Sequence, residues 1–493
     1  MRAGIEPGGW LARVLLALSA VFLVVGFVHL RADFPNGSPW SDWSKMTDEG
    51  WYGSAAIQHF LFGRWYLPGS FNPAVAMPVW PAILGGWFAV TGVGMVAART
   101  LTMLLYAVSL GLLYDLVRRA GGGVAAGLAV LLTVANPFCY AFDRLAVLEP
   151  VTVFWMMLGL WVAGRTRPED TGRQVLLGVL LCLQVMTKTT GVAVVPGVLY
   201  MMWAEWGWPR KAFAPGGWLR PMAIVMLTAA GLWLIYDYAV VRPHFLADYK
   251  LLFKINNYRV HLSIVPRTGW ITLHDGLWMQ PVLFPVTVLL VVASAIWLRG
   301  LWQKPVFGAS VIAAMGHLVY IWYHGNFQPR YYLVAAMPMA VVLALGVRAL
   351  WERREGWSRY ALAGGVACTV VWMGVGTTRY VLHPEYSYLT AAESIAVVIH
   401  ADGGQPLLLS DSGADISLFT GVPAIAEQYT TEGLDTLLGR YHPGWYAAWT
   451  GWEDRAVQQV GLRYTLQEVA RYPVFDDPAR RTLVLYKLSP RSR

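Results

Sequence analysis

The sequence predicts a polytopic α-helical membrane protein of about eleven spans, followed by a small extracytoplasmic α/β domain at the C-terminal end. Three observations point there. The 493 residues are 56% hydrophobic and only 14% charged, where soluble domains carry roughly a quarter of their residues as Asp, Glu, Lys and Arg. Apolar runs long enough to cross a hydrocarbon layer of about 30 Å recur along the first three quarters of the chain. From about Glu385 onward those runs stop and short alternating segments replace them.

The first span is Leu11 to Leu30. Arg13 and Arg2 give it the charge order of a signal sequence, but it is long for one and lacks a small-residue cleavage site, so it reads as an uncleaved span. Further spans are expected near 97–117, 122–140, 150–164, 174–187, 190–205, 221–241, 281–298, 305–322, 331–347 and 360–378. Pro78 to Val90 is apolar but short, as suits an interfacial or re-entrant helix. Gly53 to Tyr66 sets Ile57, Phe60, Leu61 and Trp65 to one side, as a helix lying in the interface would; an ordinary polar loop is the alternative. The division expected is a membrane domain over 1–380 and a soluble α/β domain over 381–493. In the latter, Pro406-LLLS and Thr482-LVLYKL suit strands, and Asp415 to Phe419, Leu434 to Arg440 and Glu453 to Val460 suit helices.

Orientation follows from the short loops. With the N-terminus inside, the inward turns hold Arg118 and Arg119; Arg165, Arg167 and Arg173; Arg210, Lys211 and Arg220; Arg299 and Lys304; and Arg348, Arg353, Arg354 and Arg359. Every one is basic, as the positive-inside tendency requires. One outward loop, Lys250 to Arg267, is also cationic through Lys254 and Arg259 and suits guidance of an anionic lipid head group. The location expected is the cell (inner) membrane, with the C-terminal domain extracytoplasmic.

The net charge of +9 falls largely in these loops, so it speaks for topology, and no nucleic-acid partner is expected. Cys139, Cys182 and Cys368 lie in or beside apolar runs, which argues against a disulfide framework. His244, His261, His274 and His324 show no metal-ligand spacing.

Polar groups cluster at the outward ends of spans. The stretch PNGSPWSDWSKMTDEGWY carries Asp48-Glu49 with Trp51 and Tyr52; a second cluster holds Asp143, Arg144 and Glu149-Pro150; a third holds Gln328, Arg330, Tyr331 and Tyr332; and Lys188 lies in MTKTTG. Ionisable groups near membrane depth are costly and tend to be functional. Such a set suits group transfer from a lipid-linked phosphate, in which a carboxylate takes the proton of an acceptor hydroxyl or amine and cations stabilise the leaving phosphate. Each group also has a plain reading: solvated loop charge for Asp48-Glu49, a local Asp143–Arg144 ion pair, a helix-start acid at Glu149, a snorkelling Lys188, and a topological or lipid contact for Arg330.

Together these residues resemble the GT-C superfamily of polyprenyl-phosphate-sugar glycosyltransferases, above all its protein O-mannosyltransferase and aminoarabinose transferase branch. The matching features are Asp48-Glu49 with Tyr52, Arg144 with Glu149-Pro150, Thr187-Lys188, Arg330-Tyr331-Tyr332, and Asn72-Pro73 through Pro78-Val79-Trp80-Pro81. The likeness covers about residues 10–350. It implies a GT-C-like fold and a direct, inverting displacement, with Asp48 as general base and Glu49 supporting it. Glu149 would position the acceptor or a metal, and Arg144, Lys188 and Arg330 would hold the phosphate; Tyr52, Asp143, Gln328 and Tyr331 complete the expected substrate site. The partners implied are a polyprenyl-phosphate sugar, membrane lipids, and an acceptor glycan, lipid or protein. A divalent cation is the one candidate cofactor. Asn72 stands where the family often has Lys, and Glu149 where it often has Asp. Alternatives are a lipid or sugar transporter or flippase, a non-catalytic scaffold, and an oligosaccharyl transferase using a pyrophosphate carrier.

Overall fold

A computed structural model of the chain describes residues 9–40, 42–70, 72–207, 217–256, 265–324, 328–427, 430–475 and 480–491. Arg2, Arg210, Lys211, Arg259 and His261 lie outside the described residues.

Helix α1, Gly9–Gly26, turns Trp10, Val14, Leu18, Val21 and Val24 outward. That stripe at three- and four-residue spacing suits lipid. Its other side packs on α4, Met95–Val134, where small residues such as Gly123 and Gly127 admit Ala12 and Leu15. Between them in sequence come α2, Asp48–Phe62, and α3, Val79–Thr91. Gly63 closes α2 in the left-handed conformation at φ 72°, a backbone that a side chain would strain. Helix α4 covers two of the expected spans and is broken at Gly122, φ 79°.

Asn136 accepts from Phe138 N at 3.0 Å to start α5, Pro137–Asp143, with Pro137 in the first turn. A bend of 105° separates α5 from α6, Leu148–Ala163. There follow α7, Thr171–Thr187; α8, Val195–Glu205; and α9, Leu219–Tyr236, which continues through a π-turn at Asp237–Val241 into α10, Arg242–His244. Next come α11, Leu246–Asn256; α12, Val265–Met279; α13, Leu283–Ile296; α14, Pro305–His324; α15, Leu333–Arg353; and α16, Trp357–Leu382. The described parts of the expected cationic loop are therefore helix: Lys250 and Lys254 lie exposed on α11, and Arg267 exposed on α12.

Helix occupies all or most of each stretch expected to span. By length and apolarity, six helical segments among the described residues are able to cross a membrane, and a seventh if bent α5–α6 is one span. Helices α3, α7 and α13 are shorter and apolar.

Beyond α16, helix α17, Ser387–Asp402, leads into a five-stranded mixed sheet. In chain order the elements are β1, Leu408–Leu409; α18, Gly413–Thr420; β2, Ala424–Ile425; α19, Leu434–Tyr441; β3, Trp445–Trp449; α20, Asp454–Gly461; β4, Tyr464–Pro473; and β5, Thr482–Pro490. The strand order is β2-β1-β3-β5-β4, parallel at β2-β1-β3 and antiparallel at β3-β5-β4. Central β3 is buried on both faces. Trp445, Ala447 and Trp449 meet Ile395 and Ile399 of α17 on one side, while Tyr446 and Ala448 meet Leu438 and Val460 on the other. The strands and helices expected from 406, 415, 434, 453 and 482 onward are present, and α17, β2, β3 and β4 are additions.

The sheet unit is tied to the chain's first loop. Asp33 accepts from Tyr388 N at 2.8 Å and Leu389 N at 3.2 Å, the Tyr388 hydroxyl donates to Met46 O at 2.9 Å, and α18 lies against α2.

Candidate active site

Four buried charged side chains from four other segments gather around Arg330. This arginine sits in the 3-10 turn Pro329–Tyr332 that opens α15. Its Nη1 pairs with Asp42 Oδ1, its Nη2 lies 2.7 Å from Asp48 Oδ2, and its Nε lies 3.2 Å from Glu149 Oε1. Its backbone N–H also donates to Asp42 Oδ2 at 3.1 Å. Lys188, extended at the end of α7, pairs with Glu149 Oε1 and lies over the Tyr331 ring at 4.1 Å. Arg330 is 3% exposed and Glu149 0%. Charges so far from water persist only when each meets an opposite partner. Arg330 can serve three carboxylates because its planar guanidinium presents a fixed fork of donors.

Local sequence explains how the carboxylates are aimed. Asp42 caps the 3-10 turn Trp43–Lys45, its Oδ1 accepting from Ser44 N at 2.9 Å. Asp48 and Glu149 open α2 and α6, where helix dipoles favour acids. Burial, reinforced by Asp42 and Glu149 and opposed by Arg330, raises the Asp48 carboxyl from 3.8 to about 6. Oε2 of Glu149 makes no hydrogen bond.

Of the expected site residues, the structure gathers Asp48, Glu149, Lys188, Arg330 and Tyr331, with buried Tyr52 one turn along α2 from Asp48. Gln328 lies at the margin, accepting from Trp43 N at 3.4 Å. Three others stand apart, a departure from the expected single convergence. Neighbouring residues on a helix point about 100° apart, so Glu49 faces away from Asp48. It pairs with Arg99 through both oxygens and accepts from Ala146 N at 2.7 Å. Asp143 is hydrogen-bonded with Tyr106 instead of Arg144, and Arg144 donates to the Tyr140 hydroxyl at 2.6 Å and to His29 O. Asp42 was not among the expected site residues. It reads as one more loop acid until Arg330, 288 residues away in sequence, is brought against it.

Glu49 and Arg99, 2% exposed each, form a structural pair. Arg99→Ala strands a buried carboxylate, and we expect about 3–5 kcal/mol of destabilisation, read as a large drop in melting temperature in detergent.

The residues do not fit a divalent cation. The guanidinium of Arg330 occupies the space among Asp42, Asp48 and Glu149, and among the described residues no three His, Cys, Asp or Glu side chains form a ligand group. Next to the site is an apolar cavity of about 410 Å³ lined by Leu273, Phe284, Val291, Leu318, Met339 and Val342. Its wall residue Thr272 accepts from the hydroxyl of Tyr332, two positions beyond Arg330, at 2.9 Å.

Known proteins share this architecture. The family profile described as dolichyl-phosphate-mannose-protein mannosyltransferase matches residues 73–236. ArnT from Cupriavidus metallidurans, bound to undecaprenyl phosphate, superposes with a TM-score of 0.61 at 14% identity over 97% of this chain and 98% of ArnT. The chain has the GT-C fold. Apo ArnT from the same organism gives the same TM-score at 16% identity over 97% and 98% of the two chains. The Archaeoglobus fulgidus oligosaccharyltransferase, in complex with Zn and sulfate, matches this chain with a TM-score of 0.54 at 11% identity, over 96% of this chain and 73% of its own. No curated protein matches the chain by sequence. Family profile and fold agree with the GT-C resemblance read from the residues.

Proposed function

We propose that this GT-C protein is an integral membrane glycosyltransferase that moves a sugar from a polyprenyl-phosphate donor to an acceptor hydroxyl or amine at the outer face of the cell membrane. The observation that carries the reading is the meeting of a buried carboxylate base, Asp48, with two cations, Arg330 and Lys188, beside an apolar cavity. The fold likeness to ArnT, which was solved with undecaprenyl phosphate, supports a carrier of that class.

The acceptor O–H or N–H approaches the anomeric carbon from the side opposite the phosphate. As the new bond to carbon forms, the Asp48 carboxylate takes the proton, and the bond from carbon to the phosphate oxygen breaks with its electron pair on the phosphate. One such displacement inverts the anomeric centre. Arg330 and Lys188 turn from their carboxylate partners to the phosphate and stabilise the charge growing on it. Glu149 returns both cations to position and offers its open Oε2 to the acceptor. The apolar cavity takes carrier isoprenes, with Tyr332 linking its wall to the Arg330 turn.

Sidedness rests on the two ends of α6. Glu149 lies at its start, whereas Arg165, just past its other end, pairs with Asp115 alongside Arg119. A helix of that length separates its ends by about 20 Å. The basic end suits the cytoplasm and the Glu149 end the outer face. On this reading the sheet unit after residue 381 is extracytoplasmic and caps the site.

A base must be ionised to act. With the Asp48 carboxyl raised to about 6, kcat/KM should fall as pH drops through about 6, and Asp48→Glu should move that limb. A flat profile between pH 5 and 8 in wild type, with binding intact, contradicts Asp48 as base. The assay that tests the function is release of label from polyprenyl-phosphate sugars by the protein in lipid.

A further inference from the structure

The first turn of α2, which presents Asp48, lacks a cap of its own. Thr47 holds the N-cap position but its side chain makes no capping hydrogen bond; its hydroxyl donates to Asp411 O in the sheet unit at 3.0 Å. The first amides of a helix have no partner within it. A side-chain acceptor normally comes from the N-cap residue and takes the second or third N–H. Here the acceptor comes from 365 residues away in sequence: Asp415 Oδ1, on α18, takes the N–H of Gly50, the third residue of α2.

Several contacts hold this junction. A Cβ on Gly50 would lie 2.2 Å from the carbonyl carbon of Ala414, so the glycine lets α18 approach the α2 backbone. Tyr388 donates to Met46 O at 2.9 Å, two residues before Asp48. The exchange is mutual: α17 also lacks a side-chain cap of its own, and Asp33 of the first loop accepts its amides at Tyr388 and Leu389. Asp415 is 1% exposed, which keeps solvent from competing for the Gly50 amide.

We propose that Asp415 is a positioning residue for the transfer reaction, capping from the C-terminal sheet unit the helix turn that carries Asp48. This rests on Asp48 being the base. The sheet unit then does more than cover the site, because it sets the direction of the base. A displacement of about 1 Å in a reacting group can lower a rate 10²-fold.

The test compares Asp415→Ala and Asp415→Asn in the full-length protein in lipid nanodiscs. The readouts are transfer from labelled polyprenyl-phosphate sugars and hydrogen exchange of the peptide covering 47–62. Asparagine keeps an oxygen acceptor for Gly50 N–H. Asp415→Ala should lower kcat about 10- to 100-fold, leave donor KM within about threefold, and shift the acid limb. It should also speed exchange in the first turn of α2 while α15 is unchanged. Asp415→Asn should restore kcat to within about threefold of wild type and slow the exchange again. A purely structural role would lower the active fraction equally in both variants without moving the acid limb. Wild-type kcat and exchange in Asp415→Ala, or equal loss in both variants, overturns the proposal. Should Asp415→Ala fail to fold, Tyr388→Phe removes the hydroxyl's bonds to Met46 O and Ser412 and should loosen the same peptide with a partial loss of kcat; unchanged exchange and kcat there overturn it. If wild type transfers no sugar from any donor, the glycosyltransferase reading fails, while the exchange data still decide whether Asp415 holds the turn.

Discussion

Asp48→Asn should lower transfer by about 10²–10⁴-fold while the protein folds and gains heat stability. The amide keeps the size of the side chain but cannot take a proton from the acceptor. The stability gain follows from the sign of the shift. Burial raises the folded-state carboxyl to about 6 from 3.8, so at neutral pH the ionised group disfavours the folded state, and protonation stabilises it as pH falls through about 6. An uncharged amide removes that cost at all pH values, giving about 1–3 kcal/mol near pH 7. The cost shrinks as pH falls from about 6 and vanishes only below 3.8, the ordinary value of the carboxyl, so the gap between the two melting temperatures should be roughly halved at pH 5 relative to pH 8. Thermal unfolding of both proteins at pH 5 and 8, beside the rate assay, checks both halves. Equal rates would remove Asp48 from the role of base; lost activity with lowered stability at pH 8 would make it a structural residue.

Arg330 carries the second large effect. Among the described residues it is the one cation facing Asp42, Asp48 and Glu149 together, and Arg330→Ala leaves three buried carboxylates with Lys188 as the nearby counter-charge, paired to Glu149. Breaking such a pair from one side costs about 3–5 kcal/mol, so the alanine variant should express poorly or unfold early. Arg330→Lys separates charge from geometry. A lysine retains a point charge but not the fork that spans several oxygens, so it should fold, with donor affinity and kcat/KM lowered by at least about tenfold. Donor titration of the lysine variant, by label release against donor concentration, is the check. An unchanged apparent affinity would remove Arg330 from phosphate binding.

The apolar helices were legible because an apolar run in lipid must be helical, and Leu11–Leu30 or 331–347 needs nothing else to suggest one. Asp48, Glu149, Lys188 and Arg330 were legible as costly charges at the ends of such runs. What the sequence hid was direction. Asp48 and Glu49 are adjacent, yet helical geometry sends one to Arg330 and the other to Arg99. Arg99, inside an otherwise apolar run, was the available signal that one acid of the pair was already taken. Asp42 gave none, since only the tertiary fold sets it against Arg330. In the sheet unit, β3 is buried on both faces, so WYAAW shows no polar alternation, and β4 is mostly solvated, so TLQEVARYP offers no apolar face. Helix α17 did carry a periodic face in Leu389, Ala392, Ile395 and Ile399, buried against the sheet unit and its surroundings.

The most direct measurement incubates wild-type protein in liposomes with polyprenyl-phosphate sugars labelled in the sugar, then follows the label and the anomeric configuration of the product. Label should leave one donor in step with free polyprenyl phosphate, the transferred sugar should have inverted configuration, and Asp48→Asn should do neither. Label that stays on its carrier, or crosses the bilayer still attached to it, would show that the protein does not transfer sugar from these donors.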